Sequence, residues 1–131
     1  MIVLDASAAV DLLLGVPPRG EAIAGRLRAD AEGIAAPHLL DAEVAQVLRR
    51  FVLRSEISAD RAIAALDDLR MFPLTRYPHV ELLQRAFELR DNVTVHDALY
   101  LALAERLGAT LVTCDSALST VPGHAASVVV V

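Results

Sequence analysis

Short uninterrupted apolar runs alternate along this chain with longer segments whose apolar residues recur at a helical spacing. Ile2-Val3-Leu4, Leu111-Val112 and Val128 to Val131 are runs of the first kind. Bounded by glycine, proline or polar residues, they read as strands. The pattern predicts strands at about 2–4, 33–36, 72–76, 110–113 and 127–131, and helices at about 6–14, 19–31, 38–54, 58–70, 79–91 and 95–107. Strands separated by crossover helices form a parallel sheet covered on both faces, and the continuous run Val128 to Val131 suits such a doubly covered strand. Pro17-Pro18, Pro37, Pro73, Pro78 and Gly108 punctuate the elements, with no repeat, linker or low-complexity segment between them. The expectation is one α/β domain over residues 1–131.

Four acidic residues break this pattern where strand, turn and helix should meet. Asp5 ends the first run and Asp115 follows Leu111-Val112-Thr113-Cys114. Both stand at the carboxyl ends of predicted strands, where ligands sit in open parallel sheets. In the helix from His38 to Arg54, Leu40, Val44, Val47, Leu48 and Phe51 form one apolar face. Glu43 lies beside that face, about 40° from Val47 at 100° per residue. Its neighbours one turn away are Leu39, Leu40, Gln46 and Val47, so no local ion pair neutralises it. Asp41 lies at the opposite margin of the same face, and periodicity does not choose between the two. Asp97 shares a stripe with Tyr100, Leu101 and Ala104, again without a basic residue one turn away. Carboxylates that converge without basic partners repel one another unless a cation joins them. A divalent metal site is the expectation.

Composition narrows the chemistry. The chain has 131 residues, 55% of them hydrophobic, with a mean hydropathy of +0.47, high enough to predict that some apolar surface meets another protein. Its formal charge is −5, and all 12 basic residues are arginines. Without lysine there is no P-loop lysine and no Schiff base. The single Cys114 excludes an intramolecular disulfide and a multi-cysteine zinc site, and reads as a small buried filler. His38, His79, His96 and His124 show no metal-ligand spacing and read as surface or helix-start residues. Two tyrosines and three phenylalanines offer no obvious platform for stacking bases, so nucleic acid would be held through metal and arginine. Arg49, Arg50 and Arg54 could steer phosphate or simply form a wet helix face. The N-terminus reads as a strand rather than a signal peptide, and the longest apolar stretches fall short of the ~20 residues of a membrane span. A cytoplasmic protein is expected.

The motifs that hold the four acids resemble those of the PIN-domain nucleases, and among them the VapC-type toxins of bacterial toxin–antitoxin pairs. The resemblance rests on Met-Ile-Val-Leu-Asp5-Ala-Ser7-Ala, on Pro37-His-Leu-Leu-Asp-Ala-Glu43-Val-Ala, on His96-Asp97-Ala-Leu-Tyr100-Leu-Ala-Leu-Ala-Glu105-Arg-Leu-Gly108-Ala, and on Leu111-Val-Thr113-Cys-Asp115-Ser-Ala-Leu118. It implies a three-layer α/β/α domain with a five-stranded parallel sheet in the order 3-2-1-4-5. It also implies a Mg²⁺ or Mn²⁺ site, endoribonuclease activity that leaves 5′-phosphate and 3′-hydroxyl ends, a homodimer, and a small VapB-type antitoxin as partner in a heterotetramer or larger assembly. It selects Glu43 over Asp41 and places Asp5, Glu43, Asp97 and Asp115 as the catalytic, metal-binding quartet, with Asp5 and Asp97 as core ligands.

Each acid also has a local alternative. Asp5 could cap the helix that starts at Ala6, Asp115 could cap a turn through Ser116 and Leu118, and Thr94-Val-His-Asp97 fits a capping box. Ser7 and Thr113, and after them Ser116, are supporting candidates, because short hydroxyls beside ligating acids orient carboxylates and water. An alternative of another class is a catalytically silent PIN-fold interaction module in which the acids only cap helices. A haloacid-dehalogenase-like phosphatase also ends its first strand on an aspartate, but it needs a second aspartate where this chain has Ser7, and a lysine.

Overall fold

A computed structural model describes all 131 residues. Five parallel strands, β1 (Ile2–Leu4), β2 (Ile34–Pro37), β3 (Leu74–Tyr77), β4 (Thr110–Thr113) and β5 (Ser127–Val130), form one sheet in the order β3-β2-β1-β4-β5. Helices α1 (Ala6–Leu14), α2 (Arg19–Ala29), α3 (Leu39–Leu53) and α4 (Ala59–Met71) connect β1 to β2 and β2 to β3. Helices α5 (Leu83–Glu88) and α6 (Val95–Leu107) carry the chain back from β3 to β4. The chain therefore walks outward from β1 in one direction, then returns to β1's other side. With right-handed crossovers this puts α1–α4 on one face and α5–α6 on the other, the predicted three layers.

The reversal places β1 and β4 side by side at the centre, with Val3 opposite Leu111 and Leu4 opposite Val112. Val3, Leu4, Leu111 and Val112 are almost wholly buried. The middle of helix α6 is apolar around its whole circumference, and every residue from Ala98 to Ala104 is buried, as befits a helix pressed into the sheet. It lies against β1, β2 and β4, so its first turn reaches the same end of the sheet as the carboxyl ends of those strands.

Three elements differ from expectation. β3 starts at Leu74 rather than near 72, because Phe72 is the extended C-cap of α4 and Pro73 has no N–H to give a ladder. The helix predicted over 79–91 is a 3₁₀ turn, Val80–Leu82, followed by the short α5. Its ends tighten into i→i−3 bonds, Leu82 N–H to His79 and Leu89 N–H to Ala86. The run Val128 to Val131 forms an edge strand whose residues are half-buried or exposed, not a doubly covered one. Its register, Thr113 with Val130, is set by pairing to β4 alone.

Candidate active site

The reversal of strand order opens a crevice between the carboxyl ends of β1 and β4, and all four acids predicted from the sequence line the single cavity there, about 560 Å³ in volume. Asp5 leaves β1 and is the N-cap of α1. Asp115 leaves β4 and caps the 3₁₀ turn Ser116–Thr120 through its bond from the Ala117 N–H, 2.9 Å. Glu43 comes from the start of α3 and Asp97 from the first turn of α6.

Asp5 is the most constrained of the four. It is 6% exposed, and three donors reach its carboxylate. The Ala8 N–H (2.9 Å) and the Ser7 hydroxyl (2.7 Å) donate to Oδ1, and the Thr113 hydroxyl makes a short bond to Oδ2. Those hydroxyls are themselves fixed by β4: the Cys114 N–H donates to Ser7 Oγ and the Asp115 N–H donates to Thr113 Oγ1, both at 2.9 Å. The backbone at the end of β4 is thus wired through two hydroxyls to the acid at the end of β1. A carboxylate has about four acceptor positions, so three donors leave Asp5 roughly one.

No arginine forms an ion pair with any member of the quartet; the ion pairs that arginines make join Arg19 to Asp11, Arg76 to Asp41, Arg85 to Glu88 and Glu105, and Arg106 to Glu81. Burial pushes the carboxyl pKa values of Asp5, Glu43 and Asp97 upward. Repulsion adds to it, from Asp97 on Asp5, from Asp97 and Asp5 on Glu43, and from Asp115 on Asp97. Hydrogen bonds oppose the rise: Ala8, Thr113 and Ser7 at Asp5, Tyr100 at Glu43, Thr94 at Asp97. The nearby His96 also eases Glu43 and Asp97. Tyr100, one turn beyond Asp97 and 1% exposed, donates to Glu43 Oε1 at 3.3 Å. Burial and the surrounding carboxylates hold its phenol protonated.

The local alternatives and the site coexist. Asp5 and Asp115 are caps and line the cavity as well. At Asp97 only half of a capping box forms: its N–H donates to Thr94 Oγ1 at 3.3 Å, with no return bond from the Thr94 N–H to the Asp97 carboxylate. Asp41, which periodicity left level with Glu43, is taken by Arg76 through bonds of 2.7 and 2.9 Å on the outer side of α3. Ser7 lies on the cavity wall, Thr113 lies fully buried behind Asp5, and Ser116 is exposed and lines no part of the cavity.

Two further readings change. Cys114 is a half-buried wall residue rather than a core filler, its thiol directed at Asp11 Oδ2 (3.4 Å) and its pKa pushed up to about 11 by burial and by Asp11. Phe51 and Tyr100 both line the cavity, so aromatic surface is present where composition offered none obvious. Arg19, Arg50 and Arg54 line it too. Arg50 and Arg54 are two of the three arginines that the sequence offered as possible phosphate contacts, and helix arithmetic separates them from Arg49, since each lies within about 20° of Glu43 around α3. Arg19 and Asp11 carry no such signal, because only the packing of α1 on α2 brings them to the site.

All donors of the quartet are oxygens, which suits hard divalent cations. No three Asp, Glu, His or Cys side chains stand close enough to enclose one ion by themselves. An ion that keeps several waters and takes one or two carboxylates, as Mg²⁺ does, fits such an open arrangement. Residues 2–123 match the PIN domain family. The chain is a PIN domain of the VapC ribonuclease family. Ribonuclease VapC1 of Mycobacterium tuberculosis is 48% identical over 122 residues, 92% of this chain and 90% of that protein. Among solved structures, VapC20 of Mycobacterium tuberculosis, described as a sarcin–ricin loop cleaving toxin, superposes with a TM-score of 0.73 at 16% identity, covering 95% of this chain and 97% of its own. VapBC2 of Rickettsia felis, solved bound to a DNA fragment from their promoter, gives a TM-score of 0.71 at 19% identity and 98% coverage of both chains. At those identities the two structures bear on the PIN fold alone.

Proposed function

We propose that this PIN domain is an endoribonuclease dependent on Mg²⁺ or Mn²⁺ and serves as the toxin of a VapBC-type toxin–antitoxin pair. One observation carries the reading: four carboxylates from four elements share one cavity with no cationic partner, and three of them are raised by burial and mutual repulsion. One or two ions would be held by Asp5 and Asp97, with Glu43 and Asp115 ligating directly or through water. When bound, the metal supplies charge that neutralises the quartet and the developing negative charge at phosphorus, and it acidifies water for attack.

The chain's own residues divide the remaining work. Ser7 and Thr113 hold Asp5 in one orientation at the cavity wall. Glu43, half-buried and raised, is suited to take a proton from the attacking water, and the Tyr100 hydroxyl fixes its carboxylate. The water oxygen bonds to phosphorus as the bond to the 3′-oxygen breaks, and that oxygen leaves as an alkoxide that takes up a proton from solvent to become the 3′-hydroxyl. RNA then ends in 5′-phosphate and 3′-hydroxyl. A small VapB-type antitoxin would cover the crevice and adjoining apolar surface, and the toxin would act as a homodimer, as a heterotetramer or larger when bound.

Purified protein should cleave RNA with Mg²⁺ or Mn²⁺ and stop on chelation. Cleavage that survives exhaustive chelation would refute the metal mechanism. The competing silent-module reading draws on the three donors already at Asp5. Calorimetric titration with Mn²⁺ separates the two, since a silent module takes up no ion at this site.

A further inference from the structure

The cavity is longer than its acidic end. Along α3 it is lined by Glu43, Val47, Arg50, Phe51 and Arg54. Within an arc of about 100° at 100° per residue, these stand on one side of the helix for three turns. At 1.5 Å per residue, Arg50 lies about 10 Å and Arg54 about 16 Å from Glu43 along the axis. Phe51 and Val47 are half-buried, so each shows part of an apolar surface to the cavity. Arg50 and Arg54 are exposed and have no carboxylate partner in the fold, although the chain carries 17 acids against 12 arginines. Across the cavity, Arg19 at the start of α2 is steadied by Asp11 at 3.6 Å. Arg49, one residue away, lines no part of it.

An acidic end that needs a cation, followed by an apolar floor and unpaired guanidinium groups, is the order of groups that a single strand of nucleic acid requires. Such strands are held by aromatic faces under the bases and basic side chains along the backbone. Resting on the ribonuclease reading, we propose that this arm of the cavity is a binding subsite for single-stranded RNA. It holds the nucleotide beside the scissile bond with its base on Phe51 and Val47, and the adjoining phosphates on Arg50 and Arg54. In a chain of net charge −5, these contacts supply the local phosphate affinity that the whole molecule lacks.

The test measures binding of a fluorescent mixed-sequence single-stranded oligoribonucleotide in chelator over a range of salt, and KM and kcat for its cleavage in Mn²⁺. The variants are Arg50→Gln/Arg54→Gln, Arg50→Lys/Arg54→Lys, Phe51→Leu and Arg49→Gln. Removing two phosphate contacts should lower the slope of log K against log salt by about 1.4, and the double-lysine variant should restore it. Phe51→Leu should weaken binding by roughly 5- to 150-fold, the loss expected of one stacked base. KM should rise more than kcat falls, and Arg49→Gln should match the wild type. Wild-type slope in the double-glutamine variant, or wild-type affinity in Phe51→Leu, overturns the subsite even if cleavage is robust. So does an arm that captures polyglutamate through Arg50 and Arg54 while RNA binding ignores them. Arginine-dependent RNA binding without any metal-dependent cleavage supports the subsite and overturns the nuclease reading instead.

Discussion

Asp97 is the residue at which the functional and local readings separate. Its N–H is capped by Thr94, while its carboxylate faces the other acids. Asn keeps the shape and the capped N–H but removes the charge. Asp97→Asn should therefore reduce cleavage by at least the roughly 10–100-fold that loss of an outer metal partner causes, while the protein stays folded. The pH dependence has a definite sign. Burial first, and Asp115 after it, raise the Asp97 carboxyl above its ordinary value of 3.8, so the folded state binds its proton more tightly than the unfolded state. That contribution to stability is complete below the unfolded pKa and is lost as pH rises through the folded one. In metal-free buffer at neutral pH, the variant should melt no lower than the wild type, and its melting temperature should fall less from acid to neutral pH. Added Mg²⁺ should raise the wild-type melting temperature more than the variant's, because a ligand stabilises only the state that binds it. An Asp97→Asn protein that melts earlier but cuts RNA at the wild-type rate would remove Asp97 from the site.

At the scale of elements, the site depends on how the end of β4 is tied to the end of β1. Thr113 is fully buried, donates to Asp5 and accepts from the Asp115 N–H. Thr113→Val keeps the shape and deletes both bonds. It should cost about 1–3 kcal/mol in urea unfolding, the usual penalty for stranding buried polar partners. Activity should fall as well, because Asp5 loses one of the three donors that orient it. Ser7→Ala should behave similarly but more mildly, since Ser7 is only partly buried. Equal stability of Thr113→Val and wild type would show that the tie is not energetically significant. The helices were legible in the sequence where their ends carried side-chain signals: α1 between Asp5 and Gly15, and α6 between Thr94 and Gly108. The segment 79–91 had no side-chain cap to mark a start, and it forms tight turns around a short helix.

For the molecule as a whole, the excess of apolar residues has a location. Leu53, Ile63, Leu66 and Met71 of α3 and α4 remain exposed, as do Val80, Leu83 and Phe87 around α5. No helix is long and apolar enough to cross a membrane, so these residues are not explained by a helical span. Patches of this kind are the surfaces that proteins cover with partners. Expression of the chain alone should slow growth, and a small protein encoded beside it should co-purify and restore growth. Harmless accumulation of soluble, RNA-cleaving protein would argue against the toxin role. An antitoxin arginine or lysine entering the acidic crevice would oppose metal loading, so the complex should show weaker Mn²⁺ uptake than the free toxin.

The linear sequence determined the parallel α/β class and most element positions, because apolar periodicity and end-capping residues act locally. It also marked Asp5 and Asp115 by their place at strand ends, and Glu43 and Asp97 as acids without local partners, since a missing ion pair one turn away can be counted along the chain. Tertiary structure decided what distance along the chain conceals. It gave Asp41 to Arg76, 35 residues away, and left Glu43 to face the cavity. It joined Thr113 to Asp5 across 108 residues and moved Cys114 from the core to the cavity wall. It also turned one side of α3 into the long wall of a cleft, because that side acquires meaning only when α1, α2 and the end of β4 close around it.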